Sequence, residues 1–311
     1  MLRPPVRTSW AAWRPRLTLR LAPATAQPAA AAGDVTEEQE PQARRLDRFP
    51  LGLRGTARRR GVSVKKKVTR PGARNKPAAG GRPEVSGLSL DARRSQRLKA
   101  AETLQGSRIP LKLIEIAEHG TAVAEETLGK AMQLERRPPL ACKEDCDWCC
   151  HLRVGTSVPE VVRIVEYLRQ TLSPEELRAT HERVARRDDE RRQMKPAQRA
   201  ASRPPCVLLV EHRCCAYPVR PLTCRGFNSA DASACERFVK SAGRIDEIPM
   251  YRPQQRLMTF VLDGTRAGLQ AAGLQDDLLE LGAALRIALD VPDAAERWLA
   301  GEPVFAPARM D

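Results

Sequence analysis

Cys142-Lys143-Glu144-Asp145-Cys146-Asp147-Trp148-Cys149-Cys150 is the stretch on which the reading of this chain turns. A second burst follows at Cys206, Cys214, Cys215, Cys224 and Cys235, and the two together hold all 9 cysteines of the 311 residues. Cysteines serving only as small core residues would be scattered. This clustering asks for a group that needs several thiolates close together, which is a metal ion or an iron–sulfur cluster. Cys146-Asp147-Trp148-Cys149 has the C-x2-C spacing that lets one turn of backbone point two sulfurs at one ion. Cys142, four residues earlier, can join that pair, while Cys150 points elsewhere because adjacent side chains splay apart. With the later cysteines the set fills two four-thiolate sites, one shared polynuclear site, or one site with spare thiols.

Around this centre the sequence predicts helices. Leu113, Ile116, Ala117, Val123, Ala124, Leu128, Ala131 and Met132 follow a helical period over 111–134, with a kink expected at Gly120 and Pro138-Pro139 as the stop. Ser157 caps a helix with apolar positions at Val161, Ile164, Val165 and Leu168. Ser173-Pro174-Glu175-Glu176 is a capping box opening a charge-dominated, mostly exposed helix to about Met194. Residues 195–205 read as a loop, Cys206–Val210 as a strand, and 211–236 as too rich in turn residues for a regular element. Three more helices are expected over 254–272, 275–289 and 292–300. The fold class is therefore mainly α: a small helical domain around an irregular, cysteine-rich metal-binding centre, with a disordered N-terminal arm. The boundaries are 1–90 for the arm, 91–302 for the domain, whose folded part begins near Leu90, and 303–311 for a tail.

Charge separates the same regions. The net charge is +15, yet residues 1–90 hold 19 Lys and Arg against 6 Asp and Glu, while 91–311 hold 34 against 32. The arm is rich in Pro, Ala and Gly and has no sustained apolar period, so it cannot bury enough surface to offset the entropy of ordering. It reads as a solvated tail, an upstream extension of the reading frame, or a weak contact for nucleic acid or an anionic surface. Arg3, Arg7, Arg14, Arg16 and Arg20 interrupt the apolar core that a secretory signal needs. No stretch approaches the roughly twenty apolar residues of a transmembrane helix. A reducing, cytoplasmic compartment is expected, where clustered cysteines bind metal more often than they form disulfides. The low aromatic content, 4 %, thins the core and favours a metal staple.

The C-x3-C-x2-C-C block, followed by Cys206 and by Cys214, Tyr217-Pro218-Val219-Arg220-Pro221-Leu222-Thr223-Cys224-Arg225-Gly226-Phe227, resembles the cysteine-cluster family named for its CxxCxxCC signature. These YkgJ-type proteins are described as zinc- or iron-chelating. The resemblance covers about residues 138–240. It implies a ligand set of Cys142, Cys146, Cys149, Cys150, Cys206, Cys214, Cys224 and Cys235 for zinc or an iron–sulfur cluster, with Cys215 at a position the family does not require. The first gap is one residue longer than the signature, and Val207 stands where Pro is common.

Four thiolates on one divalent zinc leave a net −2, so Arg220 and Arg225, flanking Cys224, are expected to serve the bound group with charge and N–H bonds; the alternative is ordinary bonding to backbone carbonyls. Tyr217, Phe227 and Trp148 read as packing around the site and Pro221 as a turn stiffener. His151 and His212 are rival ligands, and Asp145 and Asp147 read as solvated. Three other functions compete. Cys142-x3-Cys146-x-Trp148-Cys149 matches the cluster motif of radical S-adenosylmethionine enzymes, but the residues after it lack the repeated βα pattern such enzymes need. A methyl-transfer role follows only by analogy with a distant relative of the cysteine-cluster family. A metal-stabilised nucleic-acid-binding module is disfavoured by the balanced charge of 91–311, and a redox-active thiol protein by the strain of disulfides between adjacent cysteines.

Overall fold

The computed structural model describes residues 83–143, 145–244 and 247–310, so the expected arm lies outside the described residues up to position 82. Ten α-helices occur among them: α1 Pro83–Gly106, α2 Pro110–Leu134, α3 Val158–Thr171, α4 Pro174–Gln193, α5 Pro196–Ala201, α6 Leu222–Gly226, α7 Ala232–Lys240, α8 Arg252–Ala271, α9 Leu281–Asp290 and α10 Ala294–Leu299. The strands are two-residue pieces in antiparallel pairs. β1 (Gly155–Thr156) lies against β4 (Leu279–Glu280), and β2 (Leu209–Val210) forms a hairpin with β3 (Arg213–Cys214). The fold is mainly α, as the sequence implied, and no repeated βα unit is present among the described residues.

α1, α2 and α8 form one helical layer. The buried face of α1 is Val85, Ser89, Ala92, Gln96, Ala100 and Leu104, a helical period written largely in small and polar residues. That composition lets α8 come unusually close. A Cβ on Gly268 would stand 2.5 Å from the Ala100 Cβ and 2.7 Å from the Arg97 carbonyl oxygen, and one on Gly264 would collide with the Arg93 carbonyl oxygen. Gln96 then joins all three helices, donating to the Ile116 carbonyl (3.0 Å) and to Thr265 Oγ1 (2.9 Å) while its Oε1 accepts from His119 Nδ1 (2.6 Å). Each buried amide group thus has a partner, which removes most of its desolvation cost. α2 runs unbroken through Gly120, whose bare backbone faces the Gln96 amide.

α3 packs on α2, and α9 bridges α3 and α4. Between them lies the larger core, with Val161, Ile164, Leu168, Leu285, Trp298 and Phe305 fully buried. A smaller apolar cluster under α6 includes Leu222, Leu257, Met258 and Val261. Both capping boxes form, at Ser157 with Glu160 and at Ser173 with Glu176.

The structure differs from the sequence reading at several points. The described fold starts with α1 at Pro83 rather than near Leu90. The tail is part of the fold, because Phe305 and Ala308 are fully buried and the Met310 N–H donates to the Leu278 carbonyl (2.9 Å). Residues 195–205 contain α5, and only Leu209–Val210 of the expected strand pairs. Residues 211–236 hold β3, α6 and the start of α7. The last was hidden among turn residues because one of them, Asp231, is its N-cap, accepting from Ser233 N (2.8 Å) and Ala234 N (3.2 Å).

Candidate metal centre

The first cysteine block is a loop pinned at both ends. Ahead of it the Ala141 N–H donates to the Ser229 carbonyl (2.8 Å), and the Cys142 thiol reaches the same oxygen at 3.8 Å. A tight turn follows, with Cys146 N–H on the Lys143 carbonyl (3.2 Å) and Asp145 in the left-handed region at φ 64°. Trp148–His151 then winds into a short 3-10 helix, and the Cys150 N–H donates to the Asp147 carbonyl (2.7 Å).

The second block is brought to the first by backbone. The Cys206 N–H donates to the Cys150 carbonyl (2.8 Å), so the chain re-enters beside the first block after α3, α4 and α5. The β2–β3 hairpin carries Cys214 back to the same place through a two-residue turn in which Glu211 (φ 48°) and His212 (φ 65°) are both left-handed, a conformation usually left to Gly or Asn. Side chains fasten that turn to the first block: His212 Nδ1 lies 2.9 Å from Asp147 Oδ2, and Arg213 Nε donates to Asp145 Oδ1 (2.8 Å). Asp147 is thus largely covered rather than solvated and engages His212, while Asp145 stays exposed, as read, in its contact with Arg213. His151 Nδ1 lies 3.2 Å from the Arg203 carbonyl.

Cys224 is placed by a residue that the sequence reading passed over. The buried Glu160 carboxylate caps α3 through the Ser157 N–H (2.9 Å) and simultaneously accepts from the Leu222 N–H (2.7 Å), the first residue of α6. Thr223 Oγ1 adds a bond to the Gly155 carbonyl (2.6 Å). Cys235 comes from α7, which packs on the 3-10 turn carrying Cys149 and Cys150, and Lys240 of the same helix sits 5.9 Å from the centre of the Trp148 ring. The only sequence signal for the Glu160 node is the Ser157-x-x-Glu160 capping spacing, which says nothing of α6.

The sulfurs form two overlapping groups. Burial first, and then the neighbouring thiols Cys146 and Cys149, push the Cys142 pKa up; Cys235 is raised by burial and by Cys142, Cys146 and Cys149. Deeper in, burial pushes Cys206 to about 12 and Cys224 well above the usual thiol range, with Cys214 acting on both and Cys206 and Cys149 on Cys224. Cys149 belongs to both groups. Its hydrogen bond with Cys150 holds Cys149 low and Cys150 high, so these two side chains meet rather than splaying apart as the sequence implied. Cys215 is also raised, to about 11, by burial and then by Cys214, but its charged neighbours are Arg183 and Glu176 of α4. All nine cysteines are free thiols, and Cys206, Cys214, Cys215 and Cys224 rest on the larger core.

Both arginines bond backbone carbonyls, the alternative the sequence left open, and Arg220 also lies near the cysteines. Its guanidinium stacks on the Tyr217 ring at 3.9 Å and donates to the Tyr217 carbonyl (2.9 Å), and its charge lowers the pKa of Cys149 and Cys214. Arg225 is turned away. It is buried, donates to the Arg220 (3.1 Å) and Pro218 (2.6 Å) carbonyls, and pairs with Glu125 of α2. Its place is to hold the 217–221 loop, the ordinary carbonyl-bonding alternative. Burial draws its own pKa down to about 10. Beside Cys150 and Cys206 a cavity of about 90 Å³ opens, walled in part by Arg153, Asp188, Arg191 and Met194.

No protein-family profile, curated protein or solved structure matches this chain. Among the described residues, no three His, Cys, Asp or Glu side chains are already arranged as a shell for a metal ion. The donor chemistry nevertheless suits a thiophilic metal. Six of the eight thiols have a raised pKa, so a metal bound there would have to displace their protons. Among the described residues no helix is long and apolar enough to cross a membrane.

Proposed function

We propose that this chain is a metal-binding cysteine-cluster protein, chelating zinc or an iron–sulfur centre through Cys142, Cys146, Cys149, Cys150, Cys206, Cys214, Cys224 and Cys235. The observation that supports the reading is the return of the second block onto the first through the Cys206–Cys150 backbone bond. The two-block pattern and its resemblance to the CxxCxxCC family point the same way. Most of these sulfurs sit on loops or short turns, where rotation about one Cα–Cβ bond redirects the donor. A bound metal would hold the ligands as thiolates and supply either structural cross-linking or electron transfer. Arg220 would offset part of the resulting negative charge.

This reading places the protein in the cytoplasm and gives its N-terminal arm at most weak contact with anionic surfaces. Metal and acid-labile sulfide analysis of protein purified without oxygen, with an absorption spectrum, tests it. Zinc with a colourless sample supports the zinc form, and iron with sulfide and visible absorption supports the cluster form. Protein carrying neither, and taking up neither on reconstitution, overturns the proposal.

A further inference from the structure

The near balance of acidic and basic residues over 91–311 conceals a local separation of charge. α1 and α8 border a groove of about 440 Å³ lined by Leu90, Arg93, Arg94 and Arg97 on one side and Ala267, Gln270 and Ala271 on the other. No carboxylate lines it; Asp91 and Glu102 of α1 are not in its walls, and Asp263 of α8 faces Arg266 at 3.6 Å. Arg93, Arg94 and Arg97 are exposed, and among the described residues none of their guanidinium groups makes a hydrogen bond or ion pair. Elsewhere on the helices Arg187 pairs with Glu190 and Arg192 with Asp188, while Arg169, Arg186 and Arg256 are exposed without a carboxylate partner among the described residues, each on a different helix; Arg93, Arg94 and Arg97 line one groove together.

Arg93 and Arg97 are one helical turn apart, about 6 Å along the axis, so they project on one face toward the groove and Arg94 widens it. The small side chains of Ala267 and Ala271 leave the opposite wall open. A row of unpaired guanidinium groups in a concave channel suits an extended chain of phosphates, which can enter it, better than a flat lipid surface, which cannot. The sequence ahead of α1 has the same sign, with 19 Lys and Arg against 5 Asp and Glu in residues 1–82.

We propose that the α1–α8 groove binds the phosphodiester backbone of a nucleic-acid strand, with Arg93, Arg94 and Arg97 as its phosphate contacts. The groove has no built reader of base edges, since Gln270 is its single uncharged polar side chain, so binding is tolerant of sequence. The site stands apart from the thiolate centre and does not depend on which metal, if any, is bound there.

The test is fluorescence anisotropy of the full chain with a labelled single-stranded RNA 20-mer over a range of salt. Each phosphate contact on a single strand contributes about 0.7 to the slope of log K against log salt, so the R93A/R94A/R97A variant is expected to lose about 2 units of slope. Any contribution of the N-terminal arm is common to both proteins and cancels in the difference. The R93K/R94K/R97K variant keeps the charges and is expected to keep the slope. A control removing three exposed, ion-paired cations elsewhere, K130A/R178A/R297A, is expected to change it by less than one unit. Metal content and helical circular dichroism of the alanine variant should equal those of the wild type. An unchanged slope in the alanine variant overturns the proposal, as does loss of slope in the lysine variant. So does loss of binding to phosphatidylserine vesicles with RNA binding intact.

Discussion

The helical layer of α1, α2 and α8 and the region of the two cysteine blocks are stabilised in opposite ways. In the layer, backbones approach until only glycine fits, and a single buried amide, Gln96, satisfies the polar groups at the joint. Around the cysteines there is little regular structure, and the loops are held by carboxylates, backbone carbonyls and left-handed residues. Close packing needs no added component. The cysteine region instead holds its thiols, most of them with raised pKa, on loops and short elements, and on the proposed reading a metal would supply the cross-links that packing supplies in the layer.

The comparison breaks most sharply with cysteine variants. Cys224→Ser and Cys146→Ser should remove most of the bound metal and cost on the order of 3 kcal/mol of stability, whereas Cys215→Ser should change metal content little. Elemental analysis with thermal unfolding checks this, and equal loss in all three would undo the division into eight ligands and one spare. Gly268→Val is the converse experiment. It forces side-chain atoms onto Ala100 and the Arg97 carbonyl and should cost about 3 kcal/mol by overpacking, with full metal content in the folded fraction. Metal loss in that fraction would mean the two regions are one cooperative site.

Glu160→Gln probes the seam, since Glu160 ties α3 to the helix that carries Cys224. Loss of the charged acceptor should cost about 2 kcal/mol and lower metal affinity, measured by competition with a chelator. A smaller gain is expected from Glu211→Asn with His212→Gly. Those residues accept the left-handed turn at lower cost, offset by loss of the His212–Asp147 contact, and the melting temperature should rise by the equivalent of about 1 kcal/mol.

The smallest effect concerns acid. Asp277 is held below its usual pKa by the Gln275 hydrogen bond and then by Arg309. Its depressed folded-state pKa contributes stability that is present above the unfolded carboxylate value near 4 and is lost as pH falls through the folded one. Asp277→Asn should therefore lower stability at pH 7 slightly and leave it nearly unchanged at pH 2, read by urea unfolding at the two pH values.

Legibility in the sequence followed the range of the interactions. The helix of 110–134, the Ser157 cap and the Ser173 capping box are written within a few residues and were readable. α1 was not, because its buried face is Ser, Ala and Gln as much as Leu or Val, and a hydrophobic period cannot show a face built for close approach. α7 was obscured by its own cap, Asp231. Of the candidate site, the cysteine positions were fully legible, while the partner of Arg225 was not, since Glu125 lies a hundred residues away along the chain.

The sequence by itself determined the helical class, the two thiol blocks and the punctuation by Pro, Ser and Asp, because period, spacing and capping are local properties of a chain. Only the tertiary structure decided that Cys150 and Cys206 share a backbone bond, that Glu160 serves two helices, and that three arginines line a groove without a carboxylate. Those facts depend on which distant segments meet, and that is set by how α8 fits α1 and how the second cysteine block closes on the first.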